Sequence, residues 1–373
     1  MGALMSGCTF YSAYPMSPST GILNYLASRA EEYGLVIEQA EDEIAAINMT
    51  IGASFAGARA MTGTSGGGFS LMAEGISLAG ITETPLVLAE MQRPGPATGL
   101  PTRTEQGDLL FVLNAGHGEF PRVIFEPGTP PEQAFYLTSK AFELAEKYQI
   151  PVFILSDQYL GESEWTFESF DLKRLIYNDY RVREKDLEGA EDYKRYGYTD
   201  TGISPLAVPG EAGKHLVVAD SDEHDEEGHI IEDAETRIKM VQKRLLKKMP
   251  LIKEEIEAPL LYGGDSSPEI VLVGHGSTYG VIKEIVDIYS KERKIAMMHF
   301  SQIYPFPEGG ERFDYIEFLK NANLVISVEN NATGQFAKLM RAETGFEFAR
   351  QILKYDGRPF TIEKLKEEID ACL

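Results

Sequence analysis

Short apolar runs alternate with longer segments of mixed polarity through the first part of the chain. Leu35–Gln39, Leu86–Glu90, Val123–Phe125 and Val152–Ser156 read as strands. Between and around them, Gly21–Tyr33, Asp42–Arg59, Phe69–Ala79 and Pro130–Tyr148 read as helices, the last an amphipathic one. Pro130 and Pro131 suit its first turn, where a missing N–H costs nothing. This alternation predicts an α/β fold built on a mainly parallel sheet with helices on both faces. From about Trp165 to Leu261 the pattern weakens. Asp220–His229 reads as an acidic loop, Thr236–Lys248 as a charged helix that Pro250 stops, and residues 262–268 as a linker. A second, smaller α/β block follows. Its strands are Ile270–Val273, Ala296–Phe300 and Leu324–Val328, and its helices Thr278–Lys291, Glu311–Lys320, Gln335–Ala342 and Ile362–Ala371.

With 373 residues, 43% of them hydrophobic, the chain can bury two ordinary cores. A net charge of −23 argues against binding nucleic acid through its phosphates. No apolar stretch is long enough to cross a bilayer, and the opening Met1–Ser6 lacks the charge and length of a signal peptide. A cytoplasmic protein is expected. Cys8 and Cys372, near opposite ends, exclude a disulfide framework and a self-contained cysteine-ligated iron–sulfur cluster. Any metal used in electron transfer must sit on another chain.

Four segments offer chemistry. Glu43 heads a small, apolar run through Gly57, too apolar for a solvated helix face, which places its carboxylate at or near a buried surface. The competing reading is that Asp42 and Glu43 simply favour a helix N-terminus. In Tyr14–Thr20, two prolines fix a turn, and Ser17, Ser19 and Thr20 present hydroxyls where a helix begins. A well-capped helix would look the same. Thr62–Gly68 is a glycine-rich loop entering a helix, matching neither the dinucleotide fingerprint nor the phosphate-loop motif; a tight strand-to-helix turn is the alternative. Met91–Arg103 follows a strand's carboxyl end, where α/β folds place ligands, and Arg93 is suited to gripping a carboxylate. Among the histidines, His117 in Asn114–Gly118 reads as structural, although an acid–base role is open. His275 also reads as structural. His224 and His229 alternate with carboxylates without calcium or zinc spacing.

In this order, these segments resemble the alpha subunit of the 2-oxoacid:ferredoxin oxidoreductases, most closely the 2-oxoglutarate type. The resemblance runs through nearly the whole chain and includes Tyr198–Pro205, Asp222–His229 and Gly274–Gly280. It implies a doubly wound, pyrimidine-type thiamine-diphosphate-binding domain over 1–235, a linker helix and loop over 236–266, and a transketolase C-terminal-like domain over 267–373. Glu43 falls where the family contacts the pyrimidine N1′ nitrogen. Arg93 matches the arginine that receives the 2-oxoacid carboxylate, with Ser17, Thr98 and Thr102 as further substrate contacts. Tyr14 and Pro15 of the turn, and Thr64, Ser65 and Gly66 of the glycine loop, are expected on the cofactor.

Two departures matter. Met16 and Ser17 replace the family's isoleucine and threonine, which keeps the hydroxyl and loses a methyl. The chain also opens close to its first strand, where the family has an additional glycine–asparagine–glutamate–alanine segment, so a truncated or misassigned start is one explanation. No magnesium-diphosphate motif is present; Asn330–Asn331 lacks its upstream partner. The diphosphate, Mg2+ and an iron–sulfur cluster are therefore expected on a beta subunit, with no metal on this chain. Gamma and delta subunits, ferredoxin and coenzyme A are further expected partners, in a hetero-oligomer or dimer of heterodimers. The expected activity is oxidative decarboxylation of a 2-oxoacid, 2-oxoglutarate first, to its acyl-CoA. The alternatives are the same chemistry on pyruvate or branched-chain 2-oxoacids, a non-catalytic assembly subunit, or a non-redox thiamine enzyme of the transketolase or dehydrogenase kind.

Overall fold

The computed structural model describes residues 1–128, 131–189, 192–264, 268–309 and 313–373. Pro130, the middle of the expected 262–268 linker and the first two residues of the helix expected from Glu311 lie outside them.

The strands are β1 (Phe10–Ala13), β2 (Val36–Gln39), β3 (Ala60–Thr64), β4 (Leu86–Gln92), β5 (Val123–Phe125) and β6 (Pro151–Asp157), then β7 (Leu260–Gly263), β8 (Ile270–His275), β9 (Ile295–Phe300), β10 (Gln302–Tyr304), β11 (Leu324–Glu329) and β12 (Arg350–Leu353). The helices of the first block are α1 (Gly2–Met5), α2 (Thr20–Ala27), α3 (Ala30–Tyr33), α4 (Glu43–Phe55), α5 (Gly66–Ile81), α6 (Leu109–Asn114), α7 (Pro131–Tyr148) and α8 (Gln158–Gly161). After them come α9 (Ala234–Val241), α10 (Lys248–Glu254), α11 (Tyr279–Tyr289), α12 (Tyr315–Lys320), α13 (Gln335–Thr344) and α14 (Ile362–Asp370).

Two sheets result. The larger runs β10-β5-β6-β4-β3-β1-β2 and is parallel except for β10, which lies antiparallel on β5. The smaller runs β12-β11-β8-β9-β7 and is parallel except for β7, antiparallel on β9. The mainly parallel sheets with covering helices are those the sequence pattern predicts. β4 and β6 are buried along their whole length, as central parallel strands require.

Three differences from the sequence reading have clear causes. The helix expected to stop at Pro250 continues through it to Glu254. A π turn over Gln242–Lys247 separates α9 from α10. This break in the regular ladder falls just before Pro250, whose nitrogen cannot donate a main-chain hydrogen bond. β7 occupies part of the 236–266 stretch read as helix and loop. β10, three residues long and too short to show a period, leaves the second block to extend the first sheet, with Glu126 N–H donating to Ser301 O at 2.8 Å. One apolar cluster consequently runs from Ile47 and Phe69 under the first sheet to Phe300 and Phe336 under the second.

Candidate functional site

The larger sheet presents the carboxyl ends of β1, β2, β3 and β4 together, and each is followed by one of the segments singled out above. After β2, Asp42 caps α4: its carboxylate accepts the Ala45 N–H at 2.7 Å. This frees Glu43 from capping. Glu43 is only 4% exposed, and its Oε1 has no hydrogen-bond partner among the described residues. The two readings of Glu43 are thus divided between two residues, with Asp42 holding the helix end and Glu43 aimed inward.

After β3 the expected glycine loop is almost no loop at all. The strand runs to Thr64, and α5 starts at Gly66, which leaves Ser65 as the turn. Ser65 is buried, and its hydroxyl has no partner among the described residues. The glycines serve close approach. A Cβ on Gly68 would strike both Thr64 Oγ1 and Glu43 Oε1, one on Gly66 would lie 2.6 Å from Asp108 Oδ2, and one on Gly75 would lie 2.8 Å from Ile47. Small residues let α4 and α5 pack tightly and bring the Glu43 carboxyl against the first turn of α5.

After β1, Tyr14 is exposed and Pro15 half-buried. Ser19 Oγ donates to Met16 O at 2.7 Å, which closes the turn ahead of α2. Arg93, beyond β4, donates from Nη1 to the Ser17 carbonyl oxygen at 2.6 Å, so the loop after β4 and the proline turn are joined. Thr98 and Thr102 lie on an exposed loop and make no side-chain hydrogen bond among the described residues. Tyr14, Ser17, Thr64, Ser65, Gly66, Glu43 and Arg93 thus collect at one end of the sheet, while Thr98 and Thr102 sit on its outer rim.

Sequence reasoning missed a set of buried acids beside this end. Glu90 of β4 is wholly buried, neither carboxylate oxygen has a hydrogen-bond partner among the described residues, and burial together with Asp108 pushes its pKa well above the ordinary range. Burial likewise raises Asp108 to about 6 and Asp157 to about 6. Glu126 meets His275 Nδ1 at 2.6 Å and accepts from Gln92 and Gln106 at 3.2 Å each. Burial alone would disfavour the charged imidazole, but Glu126 and Glu329 raise His275 to about 10. Acids inside a strand-to-loop pattern give no periodic signal; adjacency across three strands creates this cluster. Asn330 and Asn331 are structural: Asn330 N–H donates to Gln106 Oε1 at 3.0 Å, and Asn331 Oδ1 accepts from Gly334 N at 2.8 Å ahead of α13.

Buried His299 adjoins this cluster, with Nε2 2.9 Å from Gly276 O, whereas His117, His224 and His229 lie elsewhere. His117 is exposed and shares a cleft of about 290 Å³ with Glu74, Asp222, Glu223, Arg237 and Arg244, so it meets the acidic loop. His224 is buried, its ring nitrogens 3.0 Å from Asp225 O and 3.2 Å from Ile81 O. Asp225, Glu227 and His229 bring ligand atoms within 4.8 Å of one another, but Asp225 Oδ1 already accepts the Glu227 and His229 N–H groups.

Residues 1–243 match the model of the pyruvate flavodoxin/ferredoxin oxidoreductase family, thiamine-diphosphate-binding domain. The chain belongs to this family. It is 37% identical over 99% of its length to the 2-oxoacid:ferredoxin oxidoreductase 1 alpha subunit of Sulfurisphaera tokodaii, of which it spans 59%. It is 34% identical to the 2-oxoglutarate synthase subunit KorA of Archaeoglobus fulgidus, covering 90% of this chain and 86% of that one. A solved structure of 2-oxoglutarate:ferredoxin oxidoreductase from Magnetococcus marinus, with 2-oxoglutarate, coenzyme A and succinyl-CoA bound, superposes with a TM-score of 0.91 at 33% identity. It covers 99% of this chain and 63% of that chain. A split-gene transketolase, 12% identical with a TM-score of 0.50, shares the fold alone. In this oxidoreductase family member, the thiamine-binding domain carries the strand ends described above. The orphaned Glu43 oxygen, which Gly68 allows to lie against the first turn of α5, suits one edge of a hydrogen-bonding heterocycle.

Proposed function

We propose that this chain is the alpha subunit of a thiamine-diphosphate-dependent 2-oxoacid:ferredoxin oxidoreductase, which decarboxylates a 2-oxoacid oxidatively to its acyl-CoA. One observation carries the reading: Glu43 is buried with a free carboxyl oxygen against Gly68, while Asp42 does the capping. A buried carboxyl without a partner is costly unless a ligand supplies one. The names of the relatives, 2-oxoacid:ferredoxin oxidoreductase and 2-oxoglutarate synthase, support the substrate class and favour 2-oxoglutarate as the first to test.

Glu43 would hold a proton at N1′ of the cofactor's pyrimidine, with Thr64, Ser65, Gly66, Tyr14 and Pro15 around it. When bound, thiamine diphosphate supplies the nucleophilic carbon and the electron sink for decarboxylation. Arg93 would bind the substrate carboxylate beside the Ser17 hydroxyl, with Thr98 and Thr102 closing the rim. Residues 1–235 form the pyrimidine-side domain on this reading and 267–373 the transketolase C-terminal-like domain.

A beta subunit would bring the diphosphate site, Mg2+ and an iron–sulfur cluster, with ferredoxin and coenzyme A as co-reactants and gamma and delta subunits completing the complex. Exposed Ile44 and Met49 on α4, and Leu71 on α5, support a partner seated over Glu43. No described helix is long and apolar enough to cross a membrane, and we place the complex in the cytoplasm.

Purification from the native source tests the reading. Thiamine, iron and a second chain should travel with this one, and 2-oxoglutarate should reduce a viologen dye in a coenzyme A-dependent way. A complex without thiamine would overturn the proposal. Preference for pyruvate or 2-oxoisovalerate would select the alternative substrates. Lipoamide-dependent activity would point to a thiamine enzyme of the dehydrogenase kind, and a thiamine-bearing complex unaffected by loss of Glu43 to an assembly role.

A further inference from the structure

We propose that Glu90 and Asp108 share a single proton and form the proton reserve of the site, exchanging it with Glu43. The inference rests on the reading of Glu43 as the acid that faces the coenzyme.

Glu43, Thr64 and Asp108 converge on the first turn of α5. Thr64 and Glu90 are partners in the β3–β4 ladder, so their side chains leave the same face of the sheet. Thr64 Oγ1 and Glu43 Oε1 crowd the same point at Gly68, and Asp108 Oδ2 crowds Gly66 two residues earlier. Glu43 and Asp108 therefore flank one helical turn, with Glu90 buried behind it.

Glu90 is the anomaly. It is fully buried, and among the described residues no donor reaches either oxygen. The charged groups around it are Asp108 ahead of α6, Glu126 after β5 and Asp157 at the end of β6, all carboxyls. Glu126 is already matched to His275, Gln92 and Gln106. Asp157 accepts from Leu160 N–H at 2.9 Å and from the Ser277 hydroxyl. Arg93 acts on Asp108 as a cation, and Glu105, pushed up to about 7 by burial and by Asp108, faces it as a further carboxyl. Two ionised carboxylates side by side have no donor between them and repel, whereas one proton supplies the missing hydrogen bond and removes a charge. Asp108 is partly exposed, and its N–H is tied to Gln92 Oε1 at 3.0 Å, which makes it the outlet toward the site and Glu90 the store. Burial shifts both carboxyls toward holding a proton near neutrality.

The test uses the complex with its partner subunits. Stripped of thiamine diphosphate, the wild type should show an infrared carbonyl stretch of a neutral carboxyl at about pH 7, and Glu90→Gln should remove it without lowering the melting temperature of the complex. Reloaded with cofactor, Asp108→Asn should lower kcat on the order of tenfold or more. It should also abolish the acidic limb of the kcat profile, leave the KM for the 2-oxoacid within about twofold, and be partly rescued by Asp108→Glu. Absence of the neutral carboxyl signal, or a Glu90→Gln spectrum identical to the wild type, overturns the shared proton. An Asp108→Asn profile that superposes on the wild type overturns the reserve. If the infrared and Asp108 results hold while Glu43→Gln turns over normally, the exchange with Glu43 is wrong and the reading of Glu43 fails with it; the shared proton then stands alone.

Discussion

Arg93 and Ser17 are joined through the main chain, the guanidinium donating to the Ser17 carbonyl oxygen at 2.6 Å. The bond fixes the proline turn against the strand end of β4 and leaves the Ser17 hydroxyl and the other guanidinium donors for a ligand. Arginine at this point is a brace, and on the proposed reading it also receives the substrate carboxylate.

Arg93→Lys removes the planar fork and keeps the charge. The KM for the 2-oxoacid should rise about tenfold or more, with a smaller change in kcat. Steady-state kinetics of the reconstituted complex measure both, and an unchanged KM would show that the carboxylate sits elsewhere.

Glu43→Gln keeps the volume of a buried side chain and loses its acidity. Turnover should fall on the order of a hundredfold to ten-thousandfold, the range of a lost general acid–base contribution. Assembly, read by size-exclusion chromatography, and the melting temperature should hold. Gly68→Ala should also impair turnover, since the added methyl meets Glu43 and Thr64.

Glu83, on the turn before β4, is bonded to Lys243 and Lys248, all three side chains nearly inaccessible, and its carbonyl accepts from Arg195 Nη2 at 2.8 Å. Burial disfavours the carboxylate, but the three cations outweigh it and hold Glu83 well below the usual range. Glu83→Gln strands two buried ammonium groups and should cost about 3–5 kcal/mol, read as a fall in thermal stability. In the native protein this contribution is fully present above the unfolded carboxyl value of about 4.3 and is lost as pH falls toward the folded one.

His275 gives the opposite limb. Its folded pKa of about 10 lies above the unfolded value of about 6.5, so the stability it contributes is complete below that value. It declines as pH rises and is gone above about 10. Its partner Glu329, bonded also to Ser327, Asn331 and the first amides of α13, is held at about 2. Glu329 adds stability above an unfolded value of about 4.3, lost as pH falls through its folded one. Thermal melts across pH should therefore be highest between about pH 4.3 and 6.5 for this pair, and His275→Gln should flatten the alkaline decline. An alkaline decline unchanged in that variant would place its origin in another group.

The local pattern of the chain was enough for the parallel α/β class, for most central strands to within a residue or two, and for Glu43 and Arg93 as exceptional positions. Each rests on something short-range: a run of β-branched residues between helical periods, an acid heading an apolar helix, an arginine held among prolines and glycines. Three matters were decided only in three dimensions. Asp42, not Glu43, caps α4, because a single helix end accepts one side chain in that geometry. β10 joins the first sheet although its neighbours in sequence build the second, since edge pairing depends on which backbone is left open and not on hydrophobic period. Glu90, Asp108, Glu126, Asp157 and His275 become a cluster because parallel strands stack their carboxyl ends side by side. Residues scattered over much of the chain then share one low-dielectric volume, and proximity of that kind leaves no periodic trace in the order of amino acids.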